Sequence, residues 1–139
     1  LRKSVLYPKL PKLFCFYTED MNKSTFHYGL FIERELVSSL TFVKKDYCYD
    51  KNLHAYQLRG MVTRSKYQNN KFGGRLLLES IKDLRKFTNT TIIWCNARDN
   101  TYDFYYKNYF RRKGGYFYIN SIGLHYSMFF DCRHFKKEI

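Results

Sequence analysis

The sequence predicts an α+β fold, in which an antiparallel strand meander precedes a strand-helix-strand-helix unit. Two β-rich runs, residues 26–31 and 36–44, flank the polar stretch at 33–35, a pattern typical of an antiparallel hairpin. Residues 55–63 form a third β-rich run. The period then changes, because apolar side chains recur at helical spacing between residues 75 and 86.

The rest of the chain completes this order of elements. Pro8 and Pro11 stop a helix near the start of the chain, because proline cannot continue a helix interior. The further predicted elements are the end of this helix at 1–7, a loop at 14–24, a strand at 90–96, a helix at 100–108 and closing strands at 116–119 and 125–130. No repeat or linker divides the sequence, so we expect a single domain spanning residues 1–139.

Composition excludes two classes of protein. Apolar residues make up 45% of the chain and aromatic residues 20%, whereas disordered chains are poor in both. No apolar run approaches the roughly 20 residues that a membrane-spanning helix needs. We therefore expect a folded cytoplasmic protein without a membrane partner.

The cysteines do not predict a metal site. Cys15, Cys48, Cys95 and Cys132 are far apart, with no C-x-x-C pair and no compact Cys/His cluster. A reducing cytosol keeps such thiols reduced. We expect four free cysteines and no bound metal.

The formal net charge of +13 is compatible with a nucleic-acid partner or with a solvated basic surface. The lysines and arginines are spread along the whole chain, and the one compact cluster, Arg111-Arg112-Lys113, lies beside a Gly-Gly turn. This distribution favours the solvated surface over a dedicated nucleic-acid face.

The most distinctive local feature is the loop between the third strand and the first long helix, Gln68-Asn69-Asn70-Lys71-Phe72-Gly73-Gly74. A strand that runs into a glycine-containing loop and a helix start presents unpaired N–H groups, which suit an anionic phosphate. Arg64, Lys71 and Arg75 surround the loop with positive charge. Taken alone, the loop favours an ordinary β-to-α turn that uses glycine for its conformational freedom over a phosphate site.

The loop is one of several motifs that follow one another in register. They are Leu58-Arg59-Gly60-Met61-Val62, Tyr67-Gln68, Gly73, Leu76-Leu77, Trp94-Cys95-Asn96-Ala97-Arg98 and Phe104-Tyr105. The motifs from Leu58 to Leu77 resemble the coenzyme A motif of the GNAT acetyltransferase superfamily, with its Gln/Arg-x-x-Gly-x-Gly/Ala core at a helix start. The motifs at 94–98 and 104–105 resemble the next strand and helix of that fold. Thr25-Phe26-His27-Tyr28-Gly29 and His125-Tyr126 resemble one bacterial subgroup of that superfamily.

The resemblance implies the GNAT fold, a mixed and mostly antiparallel sheet flanked by helices, with a splayed central strand pair. It also implies transfer of an acetyl group from acetyl-CoA to a primary amine of a small molecule or a protein, and it admits a homodimer. Two alternatives stay open. One is a GNAT-fold module that binds coenzyme A but has lost turnover, and the other is a basic nucleic-acid-binding protein.

The resemblance also assigns roles to residues. Tyr105 matches the tyrosine that lies near the thioester sulfur and is the expected proton donor to the leaving thiolate. Backbone N–H groups near Met61 or Val62 are the expected donors to the acyl oxygen. The expected cofactor-binding residues are Met61, Val62, Thr63, Gln68, Asn69, Asn70, Lys71, Phe72, Gly73, Gly74 and Arg98.

The chain departs from the superfamily pattern in three places. Lys71 stands in place of the first motif glycine, and its N–H can face a phosphate if its φ stays negative, whereas a positive φ adds strain. Tyr109 stands in place of the glycine that ends the second helix, and we expect Asn108 to adopt the left-handed conformation instead. We also expect the superfamily's first strand to precede Leu1.

The group that deprotonates the amine stays unassigned at this stage. His27 and His125 both lie in strand-like segments and are candidates, although a strand histidine is commonly structural. Glu33 and Glu35 flank a hairpin turn, and we expect both to be solvated.

Overall fold

The computed structural model describes residues 23–134, so the predicted helix end at 1–7 and most of the predicted loop at 14–24 lie outside the described residues. Short 3-10 turns follow β3, β4 and β6. The helices and strands are β1 (Phe26–Ile32), β2 (Glu35–Lys44), β3 (Ala55–Thr63), α1 (Phe72–Phe87), β4 (Ile92–Arg98), α2 (Tyr102–Lys107), β5 (Arg111–Ile119) and β6 (Gly123–Asp131).

The strands of the described region form one six-stranded sheet in the order β1-β2-β3-β4-β6-β5. β3 and β4 are parallel, whereas each of the other neighbouring pairs is antiparallel. This mixed, mostly antiparallel sheet confirms the α+β fold and the hairpin of β1 and β2. The third strand spans Ala55–Thr63, as predicted from its β-rich run.

Helix α1 covers one face of the sheet. Leu77, Ile81 and Leu84, which recur at helical spacing, are fully buried. They pack in the main core with side chains of β2, β3 and β4, among them Phe42 and Ile93. Burying such a side chain contributes about 1.5–3 kcal/mol, so this stripe holds α1 firmly against the strands.

The predicted Gly-Gly turn beside the basic cluster is wrong. β5 begins at Arg111 and continues through Gly114-Gly115, where the positive φ of Gly114 (78°) and a register shift between Arg112 and Tyr116 mark a bulge. The glycines give this segment a low propensity to form a strand, and hydrogen bonding to β6 stabilises the strand conformation instead. The hairpin turn lies farther along, between Ile119 and Gly123.

β3 and β4 pair over only a short distance. Their parallel register consists of Ala55 with Ile92, Tyr56 with Ile93, and Gln57 with Trp94. Beyond Gln57 the two strands part, although both continue for several residues. The splayed central strand pair that the resemblance implies is therefore present.

A bulge in β3 accompanies the parting of the strands. Val62 pairs with Ser39 and Arg59 with Thr41, so two residues of β3 oppose the single intervening residue of β2. Gly60 lies in this bulge with a φ of 63°, a conformation that costs glycine little. Because a bulge bends its strand and increases the local twist, β3 follows β2 and turns away from β4.

Helix α2 ends in a Schellman motif, in which the N–H of Phe110 donates to the carbonyl of Tyr105 at 2.9 Å and that of Tyr109 to Tyr106 at 3.1 Å. The left-handed residue of this motif is Tyr109, with a φ of 73°. The prediction that Asn108 adopts this conformation is wrong, since its φ is −99°. Its side chain instead donates to the carbonyl of Phe104 at 2.8 Å.

The left-handed conformation of Tyr109 predicts a stability difference between two variants. Tyr109→Gly is expected to be more stable than Tyr109→Ala by about 1 kcal/mol, because only alanine retains the steric cost of positive φ. Both variants lose the same aromatic ring, so the comparison isolates the backbone. Denaturant unfolding measures the difference, and an alanine variant as stable as the glycine variant would contradict the assignment.

Candidate active site

A cavity of about 220 Å³ opens where β3 and β4 part. β3 contributes the residues that precede its bulge and those that form it, and β4 contributes residues that follow its last paired position. The hairpin between β5 and β6 and helix α2 close the remaining sides. The lining residues are Gln57, Leu58, Arg59, Gly60, Met61, Cys95, Asn96, Arg98, Thr101, Tyr105, Ile119, Ile122 and His125.

The cavity reaches both faces of the sheet. Leu58, Cys95 and Tyr105 belong to the main core beneath α1, so they line the cavity on the face that carries the helices. Successive side chains of a strand point to opposite faces. Gln57 and Asn96, the neighbours of Leu58 and Cys95, therefore line it on the other face.

Tyr105 is held in place by its aromatic neighbours. Its side chain is 8% exposed, and its ring contacts those of Phe104 and Phe110 at centroid distances of 5.1 and 5.4 Å. Packing on two sides fixes the ring, because a buried aromatic side chain has few alternative rotamers. The tyrosine thus lines the gap between the strands from a defined position.

The N-terminus of α1 carries backbone donors without a capping side chain in the described structure. The N–H of Arg75 is the first in the helix to bond within it, donating to the carbonyl of Lys71 at 3.1 Å. The N–H groups of Phe72, Gly73 and Gly74 precede it and have no carbonyl one turn earlier to bond. These groups lie at the positive end of the helix dipole, which favours an anion.

Lys71 has a φ of 65°, so the negative φ considered from the sequence is not what the chain adopts. Asn69, two residues earlier, also has a positive φ, of 66°. Lys71 therefore takes the left-handed conformation that a glycine adopts most readily, at a steric cost of about 1–2 kcal/mol. Lysine therefore replaces the motif glycine, but the backbone still adopts the left-handed conformation.

The first turn of α1 contains two glycines, which allow it to approach the end of β3 and the end of α2 closely. A Cβ atom on Gly73 would lie 3.0 Å from Oγ1 of Thr63 and 3.4 Å from the side chain of Met61. A Cβ atom on Gly74 would lie 2.8 Å from Oδ1 of Asn108. The glycines thus bring the start of α1 against the end of β3 and the end of α2.

Arg64 does not contribute its charge to the loop as predicted. Its Nε donates to the carbonyl of Leu36 at 2.8 Å and lies 3.5 Å from the carboxylate of Glu35. Glu35 is not simply solvated either, because Tyr67 and Lys66 also bond it, at 3.1 and 3.4 Å. Glu35 therefore offsets positive charge beneath the loop and leaves the cations of Lys71 and Arg75 beside it.

The other predicted loop residues have mainly structural contacts. The side-chain amide of Gln68 donates to the carbonyl of Thr63 at 2.9 Å, and that of Asn70 donates to the carbonyl of Gln68 at 3.2 Å. These bonds tie the loop to the end of β3. Arg98 lies apart from the loop, where it lines the cavity.

The two histidine candidates occupy different places. His125 lines the cavity, and its Nδ1 lies 2.8 Å from the carbonyl of Gly123, which makes Nδ1 the protonated nitrogen. His27 lies on the edge strand β1, two strands away from the gap, with its Nδ1 2.9 Å from Oγ1 of Thr41. Of the two histidines proposed from the sequence, only His125 therefore lies at the cavity.

Cys95 is the thiol in the cavity wall. Its side chain is buried, and this burial raises the pKa of the thiol far above its ordinary value. The thiolate is the nucleophilic form of cysteine, so Cys95 is poorly suited to attack an acyl group at neutral pH.

The described region contains neither a metal site nor a membrane-spanning helix. No group of three His, Cys, Asp or Glu side chains lies close enough to hold a metal ion among residues 23–134. No helix in this part of the chain has both the length and the apolar character needed to cross a membrane. The basic cluster is engaged locally, with the guanidinium groups of Arg111 and Arg112 over the rings of Tyr106 and Tyr126.

Comparison with known proteins yields a relative by sequence. No protein-family model matches the chain. The uncharacterised N-acetyltransferase YitI of Bacillus subtilis (strain 168) is 31% identical over 133 residues, which cover 96% of this chain and 89% of the relative. This chain therefore belongs to the GNAT superfamily of N-acetyltransferases.

Solved structures share the fold. A candidate N-acetyltransferase from Lactobacillus plantarum matches with a TM-score of 0.74 and 16% identity, over 94% of this chain and 86% of that one. An aminoglycoside 6'-N-acetyltransferase complexed with coenzyme A matches with a TM-score of 0.65 and 16% identity, over 80% and 74%. The PaiA N-acetyltransferase of Thermoplasma acidophilum, also in complex with coenzyme A, matches with a TM-score of 0.61 and 18% identity, over 79% and 62%.

The buried state of Cys95 predicts that it has no covalent role. Cys95→Ala is expected to retain kcat within about threefold, whereas its free energy of unfolding falls by about 1 kcal/mol because a buried sulfur is removed. A thiol-release assay measures kcat and denaturant unfolding measures stability. A loss of activity above a hundredfold in a folded variant would instead indicate an acyl-cysteine intermediate.

Proposed function

We propose that the chain transfers an acetyl group from acetyl-CoA to a primary amine by direct attack of the amine on the thioester. The observation that carries the proposal is the cavity between the parted strands, which is lined by Tyr105 and by Met61. The side chain of Met61 also lies against Gly73, at the uncapped start of α1. One face of this arrangement offers donors for a diphosphate. The gap offers room for a thioester beside a hydroxyl group.

The diphosphate would lie at the N-terminus of α1. The N–H groups of Phe72, Gly73 and Gly74 supply donors, and the ammonium of Lys71 adds attraction for the anion. The first turn of α1 carries no acidic residue to oppose such binding. The left-handed conformations of Asn69 and Lys71 shape the loop that leads into these donors.

The acyl oxygen would be bound by β3. The carbonyl of Val62 accepts a hydrogen bond from Oγ of Ser38 at 2.8 Å, so the peptide groups of Val62 face β2 rather than the gap. Because the backbone groups of successive strand residues point to opposite sides, the N–H of Met61 is the better donor of the two expected. A positioned donor of this kind contributes about 3–4 kcal/mol to the transition state.

Tyr105 would donate a proton to the sulfur as the thiolate leaves. A phenol with an ordinary pKa of about 10 is a weaker acid than a thiol of about 8.5, so full transfer is uphill by about 2 kcal/mol. A hydrogen bond that strengthens as negative charge develops on sulfur avoids most of this cost. The buried position of Tyr105 strengthens that bond, because little water competes for the sulfur.

The role of Tyr105 predicts a separation of binding from turnover. Tyr105→Phe is expected to lower kcat at least tenfold while the Kd for coenzyme A stays within about twofold. A thiol-release assay across an amine panel measures the first quantity and calorimetry the second. Tyr106→Phe, on the exposed side of the same helix, is the matched control and should change neither. Unchanged turnover in Tyr105→Phe would remove the residue from this role.

The close contacts of Gly73 predict the loss of cofactor binding in a second variant. Gly73→Val places a branched side chain against Thr63 and Met61, which displaces the donors at the start of α1. We expect the affinity for coenzyme A to fall at least tenfold. Gly115→Val is the control, because a Cβ atom there meets no heavy atom within 4 Å. Normal affinity in Gly73→Val, measured by calorimetry, would overturn the assignment of the loop.

A further inference from the structure

Gln57 lies where the pairing of β3 and β4 ends. It is the last residue of β3 that pairs with β4, so its side chain lies at the apex of the gap. The side chain is 6% exposed and lines the cavity. Its Oε1 is buried and has no hydrogen-bond partner among the described residues.

A buried acceptor without a donor is unfavourable, and proteins rarely retain one without a reason. An apolar side chain of the same length would fill the position without this penalty. The unsatisfied oxygen at the apex of the cavity therefore indicates a ligand that brings an N–H or O–H group. The glutamine amide can accept such a hydrogen bond but cannot take up the proton.

The face of the sheet on which Gln57 lies indicates which substrate would donate this hydrogen bond. The loop proposed for the diphosphate begins α1, and both α1 and Tyr105 lie on one face. Gln57 lies on the opposite face, two residues after Ala55, which packs in the separate cluster of Tyr47 and Ile92. A thioester that enters from the helical face would thus meet its nucleophile from the side of Gln57.

We infer that Gln57 accepts a hydrogen bond from the attacking nitrogen of the acceptor, and that this site selects neutral α-amino groups over alkylammonium groups. This inference rests on the proposed function. The nitrogen forms a bond to the thioester carbonyl carbon, the carbon–sulfur bond breaks, and sulfur leaves with the electron pair and gains a proton. The proton that nitrogen loses passes to solvent.

The charge of the site explains the preference for a neutral amine. Among the described residues that line the cavity, Arg59 and Arg98 are cationic and none is an aspartate or glutamate. An uncharged amide gives an ammonium group less attraction than a carboxylate would. At pH 7 about 14% of an α-amine with a pKa near 7.8 is neutral, against about 0.04% of an alkylamine near 10.4.

The test compares two amines and two variants in a thiol-release assay with acetyl-CoA. Alaninamide supplies an α-amine and n-butylamine an alkylamine. The wild type is expected to have a kcat/KM for alaninamide at least tenfold above that for n-butylamine. Gln57→Leu is expected to raise the KM for alaninamide about tenfold, with the Kd for coenzyme A unchanged, because one hydrogen bond to the nitrogen is lost.

Gln57→Glu provides a result that a purely structural role would not produce. A carboxylate at the apex attracts an ammonium group and can take its proton, so the ratio of kcat/KM values should shift at least tenfold towards n-butylamine. Calorimetry with coenzyme A shows whether each variant is folded. If Gln57→Leu does not fold, Gln57→Met keeps the length of the side chain and carries the same test.

The outcomes separate the two proposals. Three outcomes with an active wild type overturn the role of Gln57 alone. They are an unchanged KM for alaninamide in Gln57→Leu, an unchanged amine preference in Gln57→Glu, and a wild type that prefers n-butylamine. A wild type that releases no thiol with either amine overturns the proposed function and this inference together.

Discussion

The parting of two parallel strands is the constraint on which the site depends. β3 and β4 pair at only three positions, and the bulge at Gly60 carries β3 away from its neighbour thereafter. Strands in the middle of a sheet normally satisfy each other's backbone groups, so the parted segments leave donors and acceptors without strand partners. The cavity, the backbone donor proposed at Met61 and the apex at Gln57 all follow from this one interruption of the ladder.

The same interruption connects the two faces of the sheet. An intact sheet separates the side chains of its two faces completely, because alternate residues point in opposite directions. The gap between β3 and β4 instead lets Tyr105, on the helical face, and Gln57, on the other, line a single cavity. Under the proposed function, the thioester and the amine would approach one reaction centre from opposite sides without competing for the same space.

Much of the fold was predictable because its signals are local. The β-rich run at 55–63 and the apolar stripe of α1 needed only the sequence near them. The true start of α1 at Phe72 was missed because Gly73-Gly74 has poor helix propensity, and its close contact with Thr63 is a tertiary requirement. β5 was shortened for a similar reason, since pairing with β6 stabilises a segment rich in Arg, Lys and Gly.

The site was predictable only where a motif marks it. The loop at 68–74 was marked by its glycines and basic neighbours as well as by the resemblance, whereas Tyr105 was marked by the resemblance alone. Tyr105 lines the gap, and Met61 connects the gap to the start of α1. Gln57 carries no local signal, because its position at the apex depends on where the ladder with Trp94 ends. A residue that matters through the absence of its hydrogen-bond partner is visible only once its surroundings are known.

The two left-handed residues that replace expected glycines point to a preorganised site. Lys71 and Tyr109 each adopt a positive φ at a steric cost of about 1–2 kcal/mol, which the surrounding structure must offset. A glycine would remove that strain but would give the free loop more conformations to lose when a ligand binds. A lysine held in this conformation restricts the loop in the absence of any ligand. For the proposed diphosphate site, part of the ordering cost of binding would thereby be met during folding, which favours affinity.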